Sequence, residues 1–154
     1  MDGHERWLEQ CSKLGTTFPA RRYNEGTRTS EDAALQLGCD VAHIAKSIVF
    51  EGPESPVIVI TSGANRVDRK RKLKRLLGFK PSMAQAEYVQ QQTGYAPGGV
   101  PPFGHLLPCT MVMDEDLFLY ESVWGAAGCA ETVFSVTPSE LQRITGALVG
   151  DVKQ

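Results

Sequence analysis

The chain has 154 residues, 42% of them hydrophobic and 22% charged. That length fits one domain, and that composition excludes disordered, collagen-like and disulfide-miniprotein classes. Lys and Arg number 16 against 18 Asp and Glu, a net charge of −2, so any nucleic-acid contact has to come from a local patch. The opening MDGHERWLEQ has neither the basic n-region nor the apolar h-region of a signal peptide. No stretch reaches the roughly 18 to 20 apolar residues that span a bilayer, and a cytoplasmic protein without a membrane partner is expected. Cys11, Cys39, Cys109 and Cys129 are scattered, with no C-x-x-C pair and no adjacent histidine. They read as reduced structural thiols, with no metal site and no cofactor implied.

In chain order, Trp7, Leu8, Cys11 and Leu14 recur at helical spacing and predict an amphipathic helix over 4–14, ended by Gly15. An extended segment follows from Phe18 to Tyr23. Thr29 with Asp32 three residues on resembles a capping box ahead of a short helix through Leu37, stopped at Gly38. Ile44 to Phe50 and Val57 to Thr61 are β-branched apolar runs separated by a Gly- and Pro-containing turn, hence two largely buried strands. Asp68 can cap a helix through Leu77, with Gly78 as its stop and Leu73, Leu76 and Leu77 facing the core. A further helix is predicted over Ala84 to Gln92. Strands are predicted over Cys109 to Met113, Phe118 to Val123 and Thr132 to Val136. Thr137-Pro138-Ser139-Glu140 then opens the last helix with a cap, a proline at the first helical position and an acidic partner. The order lacks regular βαβ alternation, which favours a single α+β domain over 1–154 with a mixed sheet, and no repeat or linker interrupts it.

Thr93 to Pro108 carries four glycines and four prolines in sixteen residues. Glycines permit close backbone approach and prolines stiffen the segment, so it can present fixed N–H and C=O groups or serve as a rigid turn without a ligand. It lacks the spacing of a P-loop. Alternation places Lys46 on the same strand face as Ile44 and Ile48. It is either a cleft cation for a carboxylate, phosphate or carbonyl oxygen, or a lysine that snorkels along the sheet edge. Arg66, Arg69, Lys70, Arg71, Lys72, Lys74 and Arg75 concentrate positive charge on one predicted helix, as a solvated face or as a phosphate contact. His4, His43 and His105 are too scattered for a metal site, and His105 reads either as a site residue beside the loop or as a satisfied histidine. Asp114, Glu115 and Asp116 read as a turn.

The helix ending Leu37-Gly38, the strand Ile44-Ala45-Lys46-Ser47-Ile48-Val49-Phe50, and Thr93-Gly94-Tyr95 with Gly98-Gly99-Val100-Pro101-Pro102-Phe103-Gly104 together resemble the YbaK/ProX family of aminoacyl-tRNA deacylases. That family is related to the editing insertion domain of prolyl-tRNA synthetase. The likeness continues through Asp114, Ala126-Ala127-Gly128 and the final helix, and so covers nearly the whole chain. It implies a mixed sheet forming a partly open barrel with flanking helices, and hydrolysis of the ester between a wrong amino acid and the tRNA 3′ adenosine. Lys46 matches the family's functional lysine, and Gly94, Pro97 and Gly98 match its G-x-x-P-G loop. On this reading Lys46 fixes the adenosine end, while backbone groups of Gly98 and Gly99 orient water and stabilise the oxyanion. Thr27, Thr29, Ile44, Val100 and Thr132 are the expected neighbours of the aminoacyl group. Arg69, Arg71 and Lys74 are the expected tRNA contacts.

Cysteine-selective members tend to carry an aromatic residue near the position of Thr29, which is absent here, so alanine, serine and threonine stay open alongside cysteine. A small pocket discriminates by roughly 1 to 3 kcal/mol per methylene, and added selection by the tRNA or its synthetase is therefore expected. Two other readings use the same fold: a noncatalytic tRNA- or synthetase-binding module, and a binder of small amino-acid derivatives.

Overall fold

The computed structural model describes residues 2–23 and 29–154. Helix α1 (Gly3–Leu14) starts where the Asp2 carboxylate accepts from Glu5 N and stops at Gly15, whose left-handed φ of 71° closes the C-terminus. Strand β1 (Ala20–Arg22) follows. Helix α2 (Ser30–Leu37) is capped by Thr29, whose hydroxyl accepts from Asp32 N, and ends at Gly38. A 3-10 turn over Val41–His43 leads into β2 (Ile44–Glu51), which makes an antiparallel hairpin with β3 (Pro56–Ser62). β3 is buried along its length.

The basic segment begins as predicted at Asp68, whose side chain accepts from Arg71 N. Its first part, Arg69–Leu73, is a π-helical turn, and only Lys74–Leu77 is regular α-helix (α3). Leu73 is buried, with Leu76 and Leu77 packed beside it. Strand β4 (Ser82–Met83) precedes α4 (Ala86–Thr93), and residues 94–109 form the irregular loop that their composition predicted.

Strand β5 (Thr110–Asp114) matches expectation, but the strand expected over Phe118 to Val123 does not form. Residues Glu115–Leu119 make a 3-10 turn, and β6 begins only at Val123 (Val123–Ala126). The cause is local: the Asp114 side chain accepts from Asp116 N and caps a helical turn. Phe118 and Leu119 are then left 38% and 74% exposed, off any strand face. β7 (Thr132–Val136) and α5 (Pro138–Thr145) follow as read, the latter capped by Thr137, and β8 (Leu148–Gly150) is added at the end.

Among the described residues, eight strands form one mixed sheet in the order β1-β7-β6-β2-β3-β5-β8, with β4 pairing β2 outside this path. β2 runs parallel to β6, and β3, β5 and β8 are mutually parallel in sequence. The ends of the path, β1 and β8, do not pair, so the sheet stays open with helices flanking it. This is the α+β architecture expected. The main core gathers Trp7, Phe103 and Phe134 with the odd-numbered β2 residues Ala45 and Val49. Trp7 and Phe134 lie 4.7 Å apart, and Phe18 packs on both. On the opposite face of β2, Ile44 joins Ala33 and Ala34 of α2, while Ile48 and Phe50 join Leu73. Among the described residues, no helix is long and apolar enough to cross a membrane.

Asp114 is 1% exposed at the end of β5. Its carboxylate accepts from Thr61 Oγ1 (3.0 Å), Ser62 N (3.0 Å), Asn65 Nδ2 (2.8 Å) and Asp116 N (2.9 Å). It thereby locks β5 to the end of β3. Replacing it by alanine leaves these donors unsatisfied in the interior, and the Asp114→Ala variant is expected to lose about 3 kcal/mol of stability, measured as a drop in urea midpoint.

Candidate functional site

The site arises from an interruption in sheet pairing. β2 has β3 along one side, but on its other side β6 pairs only with Ile44 and Ala45, and β4 only with Phe50 and Glu51. Among the described residues, Lys46 to Val49 therefore have no strand beside them there. The bond from Gly63 N to Ile44 O sets the phase of the ladder, so even-numbered β2 residues exchange bonds with β3. The N–H and C=O of Ser47 consequently point into the opening. The Ser47 hydroxyl is also buried, without a hydrogen-bond partner among the described residues.

A cleft of about 360 Å³ occupies this opening. Its walls bring together six of the residues singled out from sequence: Thr29, Ile44, Lys46, Gly98, Val100 and Thr132. Lys46 stands on the face of β2 between the Ala33 and Leu73 clusters, paired across the hairpin with Thr61. Lys46 is half-buried and lines the cleft along the open edge of β2. Ser47, Cys129, Trp124 and Ala33 also line the cleft and were not anticipated. The Thr29 hydroxyl is committed to its helix cap. That of Thr132 lies 3.2 Å from both the thiol and the carbonyl of Cys129. Thr27 lies outside the described residues.

The glycine-proline loop closes one side. Gly98, at φ 90° with open space where a side chain would stand, contributes backbone alone to the cleft. Gly99 lies behind it, its N–H donating to Ala96 O at 3.0 Å. A Cβ on Gly99 would meet Cys129 Cα at 2.7 Å, so only glycine permits this contact. Gly94 and Pro97 do not line the cleft. Gly94 is the left-handed C-cap of α4, and its carbonyl accepts from Arg6 Nη1 at 2.6 Å, which ties the loop to α1. Tyr95 is buried and donates its hydroxyl to Gly104 O at 3.0 Å. Burial pushes its phenol up to about 12.

His105 braces the far end of the loop. Its Nε2 is 2.7 Å from Pro101 O, and because a carbonyl only accepts, Nε2 carries the proton. It does not reach the cleft, so the satisfied reading of this histidine is the one observed. Burial pulls its imidazole below the ordinary value, against the opposing effect of the Pro101 carbonyl.

The expected tRNA contacts separate. Arg69 lines a second cleft that also contains Lys46, and its Nη1 donates to Pro81 O at 2.9 Å. Arg71 and Lys74 border a shallow depression around Gly78. Lys72 pairs with Asp151 at 2.7 Å. Among the described residues, no group of three His, Cys, Asp or Glu side chains could hold a metal ion.

Fold and cleft define an α+β domain with a cleft built into a gap in its sheet. Residues 24–144 match the model of the aminoacyl-tRNA editing domain, and the chain belongs to that family. It is 32% identical over 124 residues to the uncharacterized protein YwhH of Bacillus subtilis, covering 80% of this chain and 78% of that one. It is 30% identical over 102 residues to proline–tRNA ligase of Limosilactobacillus fermentum, covering 63% of this chain but only 18% of that protein. Among solved structures, a candidate trans-editing enzyme for prolyl tRNA synthetase superposes with a TM-score of 0.94 at 37% identity, covering 100% of this chain and 98% of that one.

Because the folded protein holds His105 below its unfolded pKa, its contribution to stability is present above the ordinary imidazole value, near 6.5, and is lost as pH falls through and below it. The thermal midpoint of the wild type is expected to fall more between pH 7 and pH 5 than that of His105→Gln, which keeps a donor for Pro101 without titrating. Parallel pH curves would contradict this assignment.

Proposed function

We propose that the chain is a trans-editing hydrolase that removes a small amino acid, such as alanine, serine, threonine or cysteine, from a mischarged tRNA, tRNA-Pro or a related one. The observation that carries this reading is the convergence of Lys46, the Gly98 backbone and the unpaired edge of β2 on one cleft. The editing-domain family and the resemblance to a candidate trans-editing enzyme support it.

An aminoacyl ester is already reactive, so holding water against its carbonyl removes much of the remaining entropic barrier, and a nucleophilic side chain is not required. In this mechanism the Lys46 ammonium holds the phosphate or polar part of the terminal adenosine as a point charge. Gly98 supplies backbone groups that orient water and stabilise the oxyanion as the tetrahedral intermediate forms. Gly99 acts through its close contact with Cys129, which fixes where Gly98 stands. Gly94 and Pro97 set the course of the loop. The Ser47 carbonyl, aimed into the opening, accepts from the substrate's α-ammonium. Thr29, Ile44, Val100 and Thr132 bound the side-chain pocket, together with Thr27 from the segment outside the described residues. Water adds to the ester carbonyl, the acyl C–O bond breaks, and the ribose hydroxyl leaves with a proton as the free amino acid is released. Arg69, Arg71 and Lys74 supply the positive face for the tRNA, within reach of a synthetase that could deliver it.

The test is deacylation of Ala-, Ser-, Thr-, Cys- and Pro-charged tRNAs by wild type and Lys46→Ala. Selective hydrolysis by the wild type is expected, with a loss of at least a hundredfold in the variant and an unchanged thermal midpoint. Binding without turnover on every tRNA would instead favour a noncatalytic tRNA- or synthetase-binding module.

A further inference from the structure

The cleft beneath the glycine loop continues past Lys46. A second cleft of about 480 Å³ shares Lys46 and Ile48 with the first and runs towards the start of the basic segment. Its composition is of two kinds. Ile48, Val67 and Met83 supply apolar surface over the buried Phe50, and Arg66, Arg69 and Lys70 supply cations. Met83 is 66% exposed, held at this position by the pairing of β4 with Phe50. Arg66 and Lys70 are exposed and form no ion pair among the described residues. The carboxylate in the cleft, Asp68, is engaged as the cap of the following turn, accepting from Arg71 N at 3.1 Å.

Apolar surface beside uncompensated cations fits a single-stranded nucleotide, whose base packs on the first and whose phosphate meets the second. We propose that this second cleft holds the nucleotide preceding the terminal adenosine of the tRNA, with its base over Ile48 and Met83 and its phosphate at Arg66 and Lys70. The inference rests on the reading that the first cleft takes the aminoacyl-adenosine. Lys46 then sits at the junction of two subsites, where the phosphate linking the two nucleotides passes. The recognised feature is the single-stranded 3′ end of the tRNA. Arg71 and Lys74 border the depression around Gly78, which Lys70 also touches, and do not line this second cleft, so their contact on the reading above is with the tRNA outside its 3′ end.

The experiment compares wild type, the double variant Arg66→Glu/Lys70→Glu, and the double variant Arg71→Glu/Lys74→Glu on two substrates. One is the charged tRNA that the wild type hydrolyses, and the other is the same amino acid esterified to adenosine alone. For Arg66→Glu/Lys70→Glu, KM for tRNA is expected to rise about tenfold or more, and the salt dependence to flatten by about two phosphate contacts. The loss on aminoacyl-adenosine is expected to be far smaller. Equal losses on both substrates, or an equal or larger loss of binding to single-stranded RNA ending in CCA in Arg71→Glu/Lys74→Glu, would overturn the proposal. Binding of an uncharged single-stranded RNA ending in CCA is measured alongside by fluorescence anisotropy. If the wild type hydrolyses neither substrate, the deacylase reading fails. The second subsite then stands if Arg66→Glu/Lys70→Glu weakens RNA binding, and falls if it does not.

Discussion

The structure turns on a strand that is paired fully on one side and only at its ends on the other. β2 is central in the sheet, where an unpaired backbone is costly, because buried N–H and C=O groups without partners forgo their hydrogen bonds. Here β6 leaves after Ala45 and β4 arrives only at Phe50, so the intervening residues keep an unfilled edge. That edge is opened to a cleft, and the cleft is where the lysine, the glycine loop and the strand bearing Thr132 meet. A continuous ladder along β2 would remove the pocket while improving the sheet.

Such an opening keeps its shape only if the surface across from it is stiff. The loop between α4 and β5 has no regular structure, yet it is tied at both ends and beneath. Arg6 holds Gly94, Tyr95 holds Gly104, and His105 holds Pro101. Its prolines reduce the backbone freedom that ordering must overcome. Helix α1 reaches the same wall from behind, where a Cβ on Gly3 would stand 1.8 Å from Gly128 O. The backbone at the cleft is thus fixed by contacts that lie outside it, which is what positioning of a reacting group demands.

Much of this was legible in the sequence. Helices announced by a capping side chain, α2 and α5 among them, formed where they were read, because that signal is local. The run Phe118 to Val123 was misread because its apolar content outweighed a cap supplied by Asp114 just before it. β4 and β8, with two and three residues, are too short to carry a period. Alternation alone put Lys46 on its face of β2. The opening beside Ser47 was illegible, since it depends on the registers of two strands far away in the chain, and register is a tertiary property.

The pairing of β1 with β7 has a consequence for how this protein comes into being. Ala20 finds its partner in Phe134, more than a hundred residues further along the chain. β6 and β7 wall the cleft and are made late, whereas the β2–β3 hairpin can form early from neighbouring residues. A growing chain therefore passes through a stage in which the edge of β2 is bare from Ile44 to Val49, a template for pairing with another chain until β6 and β7 arrive.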